Sequence, residues 1–232
     1  MNLEEALKVD QGVKLQPDQL SKYQQWAFSF FHDEDLVVNP NLSMTLQLDL
    51  LDARDVYESS YQSATGASFQ AYLVWNLVKA LSLHWTFNTR KIDGEWYLFK
   101  NLPVYFPIAV GGEERFKDVI INDVILMDWT RFARVYRESI QYRKIDIGSL
   151  SSLTWEISHF IGNLPALNFT SFQIHRGILN TGRPLFYFGK RYDDWEQKKK
   201  VPLSITFDHA NADPYVLNNL MQTYQNLLTK RE

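Results

Sequence analysis

The sequence contains no cysteine. That removes disulfides, thiolate metal ligands and cysteine nucleophiles together, and it fits a reducing cytoplasm, the compartment expected here. An excess of one charge sign is also missing. Lys and Arg number 24 against 27 Asp and Glu, a net of −3, which gives no electrostatic case for nucleic acid or an anionic membrane as partner. No apolar run approaches membrane-spanning length, and Met1-Asn2-Leu3-Glu4-Glu5 lacks the apolar core of a secretion signal. The chain has no phosphate-binding glycine loop, zinc-binding helix pair or nucleophile elbow. Its five histidines (His32, His84, His159, His175 and His209) are scattered without an i, i+4 pair, so no metal is expected.

What is present is apolar bulk. Hydrophobic residues make up 45% of the chain and aromatics 15%, enough to fold a sizeable core. With 232 residues and neither repeats nor low-complexity linkers, the expectation is a single domain over 1–232. Ser43 to Leu51 alternates, with Leu46, Leu48 and Leu50 on one face, and predicts a strand. Phe69, Tyr72, Leu73, Leu77, Ala80 and Leu81 follow helical spacing and predict a helix over Ser68 to His84. Asp93-Gly94 predicts a hairpin turn, because it tolerates the positive φ angles that twisted strands need. Further strands are predicted over Val104–Val110, Trp155–Gly162, Asn168–Arg176, Leu185–Arg191 and Val201–Asp208. Asp128 predicts the cap of a helix carrying Trp129, Phe132 and Tyr136, and a last helix is predicted from Pro214 to Leu228. Helices and strands interleave irregularly with clear hairpins, so the fold class is α+β with a mixed sheet packed by helices.

The richest stretch for chemistry is Leu203-Ser204-Ile205-Thr206-Phe207-Asp208-His209-Ala210-Asn211-Ala212-Asp213-Pro214. An alternating strand runs straight into a histidine, and an aspartate opens a helix four residues later. A histidine held at a strand end suits a general base that activates a hydroxyl or thiol. Two readings stay open. His209 is such a base, or it is a turn residue bonded to backbone. Asp213-Pro214 is explained without catalysis as a helix cap with proline at the first helical position. Lys198-Lys199-Lys200 reads as an exposed hairpin tip, with contact to an anionic cofactor as the alternative.

The order of blocks in the last third resembles the chloramphenicol acetyltransferase family, whose signature is His-His-x-x-x-Asp-Gly between a strand and the last helix. Asp208-His209-Ala210-Asn211-Ala212-Asp213-Pro214 is similar to it. Leu164-Pro165-Ala166-Leu167-Asn168-Phe169-Thr170-Ser171-Phe172 resembles the family's Pro-Trp-x-x-Phe-x-Ser-Phe stretch, and Pro184-Leu185-Phe186-Tyr187-Phe188-Gly189-Lys190 its Pro-x-x-Thr-Met-Gly-Lys strand. The resemblance implies a two-layer sandwich and a homotrimer with active sites between subunits. It also implies acetyl transfer from acetyl-CoA, as co-substrate, to a hydroxyl of a small acceptor without a covalent acyl-enzyme.

By the same resemblance His209 is the base and Asp213 the aspartate that braces the site. Lys190 is then a candidate for the phosphate of CoA. Phe172, Ile174, Leu185 and Tyr187 line the acceptor pocket, with core packing as the alternative for the first three. The sequence also departs from the family. The serine that bonds the tetrahedral oxyanion falls on Gly162, with Ser158 and Asn163 beside it, and the site-ordering threonine becomes Tyr187. The arginine that pairs with the aspartate is replaced by a region offering only Lys22, while Asp208 and Pro214 stand for the first histidine and the glycine. These departures motivate the alternative of a trimeric binding or scaffold protein with an impaired site.

Overall fold

A computed structural model describes residues 2–113, 115–142, 151–174 and 181–230. The helices are α1 Leu3–Val9, α2 Lys22–Phe30, α3 Leu51–Val56, α4 Phe69–Ser82, α5 Trp129–Tyr142, α6 Ser152–Ile157 and α7 Pro214–Thr229. The strands are β1 Gly12–Lys14, β2 Asn41–Asp49, β3 Thr89–Ile92, β4 Glu95–Phe99, β5 Val104–Gly111, β6 Arg115–Ile121, β7 His159–Asn163, β8 Leu185–Phe188, β9 Tyr192–Asp193 and β10 Lys199–Asp208. The main sheet runs β2-β10-β8-β7-β5-β6, with β9 paired to the start of β10. It is mixed, because β7 is parallel to both neighbours while the other pairs are antiparallel. A smaller sheet, β1-β4-β3, contains the Asp93-Gly94 turn, with φ of +50° and +83° at those residues.

One face of the main sheet meets the helices. Val201, Leu203, Ile205 and Phe207 of β10, with Phe186 and Phe188 of β8, share a core with apolar residues of α3, α4, α5 and α7. That alternation is what the period of a strand dictates when one face is buried. Helix α4 is apolar almost all round and is buried from Ala71 to Val78, as a helix with neighbours on several sides should be. Ser68 caps it by accepting from Ala71 N, and Asp128 Oδ1 accepts from Arg131 N at the start of α5.

Two predicted strands are corrected. Over Trp155–Gly162 the chain first completes α6, whose Ser151 cap accepts from Thr154 N, and turns extended only at His159. Apolar alternation in so short a stretch does not separate helix from strand, and the serine cap decides it. Over Asn168–Arg176 there is no strand among the described residues 168–174, and residues 175 and 176 lie outside them. The segment crosses the sheet face opposite the helices. There Gln47 Nε2 donates to Phe169 O, Phe172 N donates to Thr45 Oγ1, and Ser204 Oγ donates to Phe172 O. Polar side chains thus replace the neighbouring strand as partners of its backbone.

Candidate active site

Strand β10 is held on both sides, by β2 over nine pairs ending at Asp208↔Asn41 and by β8. His209 therefore begins at a rigid strand end. Its N–H donates to Pro40 O at 2.8 Å, and its ring stacks on Phe31 with centroids 4.2 Å apart and planes 11° from parallel. Nδ1 is buried and makes no hydrogen bond among the described residues. Asp208 is fully buried; its Oδ2 lies 2.7 Å from His32 Nε2, and its Oδ1 accepts from Ala210 N. Asp213 caps α7 by accepting from Val216 N at 2.8 Å. Its other neighbour is Tyr23, whose phenol bonds to it and is pushed to a higher pKa by burial and by the aspartate's charge. Tyr23 follows Lys22, so the aspartate that lacks an arginine has a tyrosine beside it.

A second group of predicted residues gathers on the sheet face away from the helices. Gly162 and Tyr187 are paired across β7 and β8, and a Cβ added at Gly162 would sit 2.3 Å from Tyr187 Cε1. The glycine and the large phenol are one adaptation, since the ring occupies the space a side chain at 162 would need. The rings of Phe172 and Phe160 stand 5.2 and 5.4 Å from that of Tyr187, and Tyr187 is pushed to a higher pKa mainly by burial. Asn163 is exposed, Ile174 half-buried and Leu185 buried between Phe160 and Thr206 in the sheet. Lys190 is exposed just beyond β8, where its N–H donates to Leu167 O. Of the large aromatics on these elements, Trp75 is in the core, Trp155 is 38% exposed and Tyr187 is half-buried.

Sequence reasoning missed a charged cavity of about 530 Å³ near the start of β10, lined around Phe69 by Arg54, Arg191 and Lys199 and by the carboxylates Asp55, Glu58 and Asp193. The guanidinium groups of Arg54 and Arg191 lie 5.2 and 5.6 Å from the Phe69 ring centroid. Arg54 pairs with Glu58, whereas among the described residues Arg191 bonds to Gln70 Oε1, at 3.4 Å. Burial, then the charge of Arg54, pushes Arg191 below the usual arginine range. Arg54 and Lys199 are neutralised by Glu58 and Asp193, so among the described residues Arg191 is the lining cation without a carboxylate partner. The lysine run divides: Lys198 lies in the turn, while Lys199 and Lys200 begin β10 paired with Asp193 and Asp49. Among the described residues no group of three His, Cys, Asp or Glu is placed to hold a metal ion, and no helix is long and apolar enough to cross a membrane.

No family model matches the chain. Among curated proteins it is similar to a chloramphenicol acetyltransferase of Proteus mirabilis, 24% identical over 184 residues, covering 79% of this chain and 81% of that protein. Among solved structures it superposes on a chloramphenicol acetyltransferase at 20% identity with a TM-score of 0.74, covering 93% of this chain and all of the other. The dihydrolipoamide acetyltransferase of Azotobacter vinelandii superposes at 16% identity with a TM-score of 0.63, covering 94% and 92%. The mixed sheet with its helical layer is thus the fold of these acetyltransferases.

Proposed function

Because the chain is a divergent chloramphenicol acetyltransferase-like protein, we propose that it is an acyltransferase moving an acetyl group from acetyl-CoA to a hydroxyl of a small acceptor, with His209 as general base. The observation that carries this reading is the seat of His209. Its backbone is anchored at Pro40 and its ring is stacked on Phe31, which holds the imidazole in one orientation at the strand end; action through Nε2 places the ring proton on the enclosed Nδ1. In this reaction Nε2 takes the acceptor's proton as the hydroxyl oxygen attacks the thioester carbonyl. The tetrahedral intermediate then expels the CoA sulfur, which leaves with that proton. Base catalysis of this kind contributes about 10²–10⁴ in rate.

The other roles follow from chemistry. Gly162 offers no side-chain donor, so the oxyanion is met by the Tyr187 phenol that covers it or by the Asn163 amide; burial keeps the phenol protonated and able to donate. Arg191 and Lys190, neither paired with a carboxylate among the described residues, supply cations for the phosphates of CoA, while Arg54 is held by Glu58. The half-exposed aromatic face around Trp155, Phe160, Phe172 and Tyr187 supports assembly as a homotrimer, each copy a single domain over 1–232, with sites completed between copies. The test is His209→Ala, with acetyl-CoA and a panel of hydroxylated small molecules, read as release of free CoA thiol. Turnover is expected to vanish while thermal unfolding is unchanged; undiminished turnover sinks the assignment.

A second reading has one observation in its favour. Tyr187 fills the space over Gly162, which suits a binding or scaffold protein whose pocket has closed. Calorimetry with CoA separates the two: micromolar binding supports the enzyme, and no binding at millimolar ligand supports the scaffold.

A further inference from the structure

The candidate base and its stacking partner are joined by a second contact, one residue along each chain segment. Phe31 stacks on His209, the next residue, His32, is bonded to Asp208, and Asp208 directly precedes His209. The side chains of His32 and Asp208 are 5% and 0% exposed. On its far side His32 Nδ1 lies 3.1 Å from Lys91 Nζ. An ammonium can only donate, so Nδ1 accepts and the ring proton sits on Nε2, which donates to Asp208 Oδ2. One imidazole thus links an ammonium group to a buried carboxylate, while Trp96 closes edge-on over the ring at 5.0 Å. Asp208 uses everything else it has to shape the turn. Its Oδ1 accepts from Ala210 N, and its carbonyl accepts from Asn211 N and Ala212 N.

A carboxylate in this position is costly to bury unless fully bonded, and the bonds that satisfy it tie the turn at Ala210 to the ring of His32. We propose that Lys91, His32 and Asp208 form a positioning relay that fixes the turn bearing His209, and so the angle at which its Nε2 meets the acceptor hydroxyl. None of the three touches the reacting atoms, and the proposal rests on the reading of His209 as the base.

The experiment compares His32→Gln with His32→Phe. Glutamine keeps a donor for Asp208 and an acceptor for Lys91, whereas phenylalanine keeps the volume and loses both. Misplacing a catalytic group by about 1 Å costs about 10²-fold. His32→Phe is therefore expected to lose about 10²-fold in kcat with KM within about twofold, and His32→Gln to recover most of that loss. In parallel, NMR cross-relaxation between the His209 and Phe31 rings should be strong in the wild type and His32→Gln and weak in His32→Phe. That readout needs no turnover, so it decides the relay even if the wild type transfers no acetyl group. If His32→Phe does not fold, Lys91→Met at the partly exposed end of the chain replaces it, with a smaller loss of the same kind. Equal kcat and equal ring contacts in all variants would overturn the relay, as would a glutamine variant no better than phenylalanine.

Discussion

At the scale of single residues, the pair Gly162 and Tyr187 explains why two departures from the family occur together. A serine hydroxyl at 162 and the phenol at 187 compete for one volume, since an added Cβ would lie 2.3 Å from the ring. Gly162→Ser alone is then an overpacking change costing about 1–3 kcal/mol. In a chain of this size each kcal/mol shifts the melting temperature by about 2–4 °C. Thermal unfolding should show that loss for Gly162→Ser and its recovery in Gly162→Ser with Tyr187→Thr. No recovery would mean that the two positions are not coupled. Arg191 gives a second residue-scale prediction. It carries no carboxylate partner among the described residues and, like Arg54, lies against the Phe69 ring. Arg191→Gln should weaken CoA binding by about tenfold or more in calorimetry, the worth of a charged hydrogen bond, without changing the melting temperature of the free protein. Unaltered CoA affinity would remove this cavity from the proposed cofactor path.

At the scale of elements, the last helix shows how a site residue can be a structural one. Asp213 accepts from Val216 N, and Pro214 begins the helix with the φ it needs and no N–H to satisfy. Asp213→Ala should cost about 1 kcal/mol, whereas Asp213→Asn, an equally good cap, should cost almost nothing. Denaturant titration of both variants checks this, and a large loss for asparagine would show that the charge toward Tyr23 matters more than the cap. The elements readable from sequence were those with one face firmly buried. β2, α4, β10 and α7 carry unbroken periodicity, and their observed bounds lie within about two residues of the predicted ones. Helices α1 and α2 had no strong apolar stripe, yet each opens with a capping box, Asn2 with Glu5 and Ser21 with Gln24, which was the available signal. The segment crossing the sheet was unreadable, because distant side chains rather than local pattern satisfy its backbone. The same holds for the site. His209 stood out at the end of a periodic strand, but the bond from His32 to the neighbouring Asp208 bridges 176 positions of sequence and leaves no local trace.

At the scale of the whole molecule, two buried titrating groups pull the acid stability in opposite directions. His159 is fully enclosed between Asn88 and Arg90, and burial, then the Arg90 charge, holds it well below the ordinary imidazole range. Burial also lowers His84, which adds a term of the same sign. The unfolded chain therefore binds protons below about pH 6.5 that the native chain refuses, so this contribution is complete above that pH and is lost as pH falls. Asp10 works the other way. Burial, and then the charge of Asp123, raises it from 3.8 to about 6, and its Oδ2 has no hydrogen-bond partner among the described residues. Here the native chain takes up its proton first, so as pH falls from about 6 towards 4 stability is regained. Each proton held by one state only tilts stability by about 1.4 kcal/mol per pH unit, so between about pH 6 and 4 the Asp10 slope offsets that of one histidine. Asp10→Asn should separate them. At pH 7 the variant is expected to be more stable than the wild type, because a repelled buried charge is gone. By about pH 4 the advantage should vanish, leaving a steeper acid decline than the wild type shows, while His159→Gln should flatten that decline below pH 6.5. Urea unfolding at pH 7, 6, 5 and 4 reads all three proteins, and an Asp10→Asn difference that is constant with pH would rule out Asp10 as the compensating group.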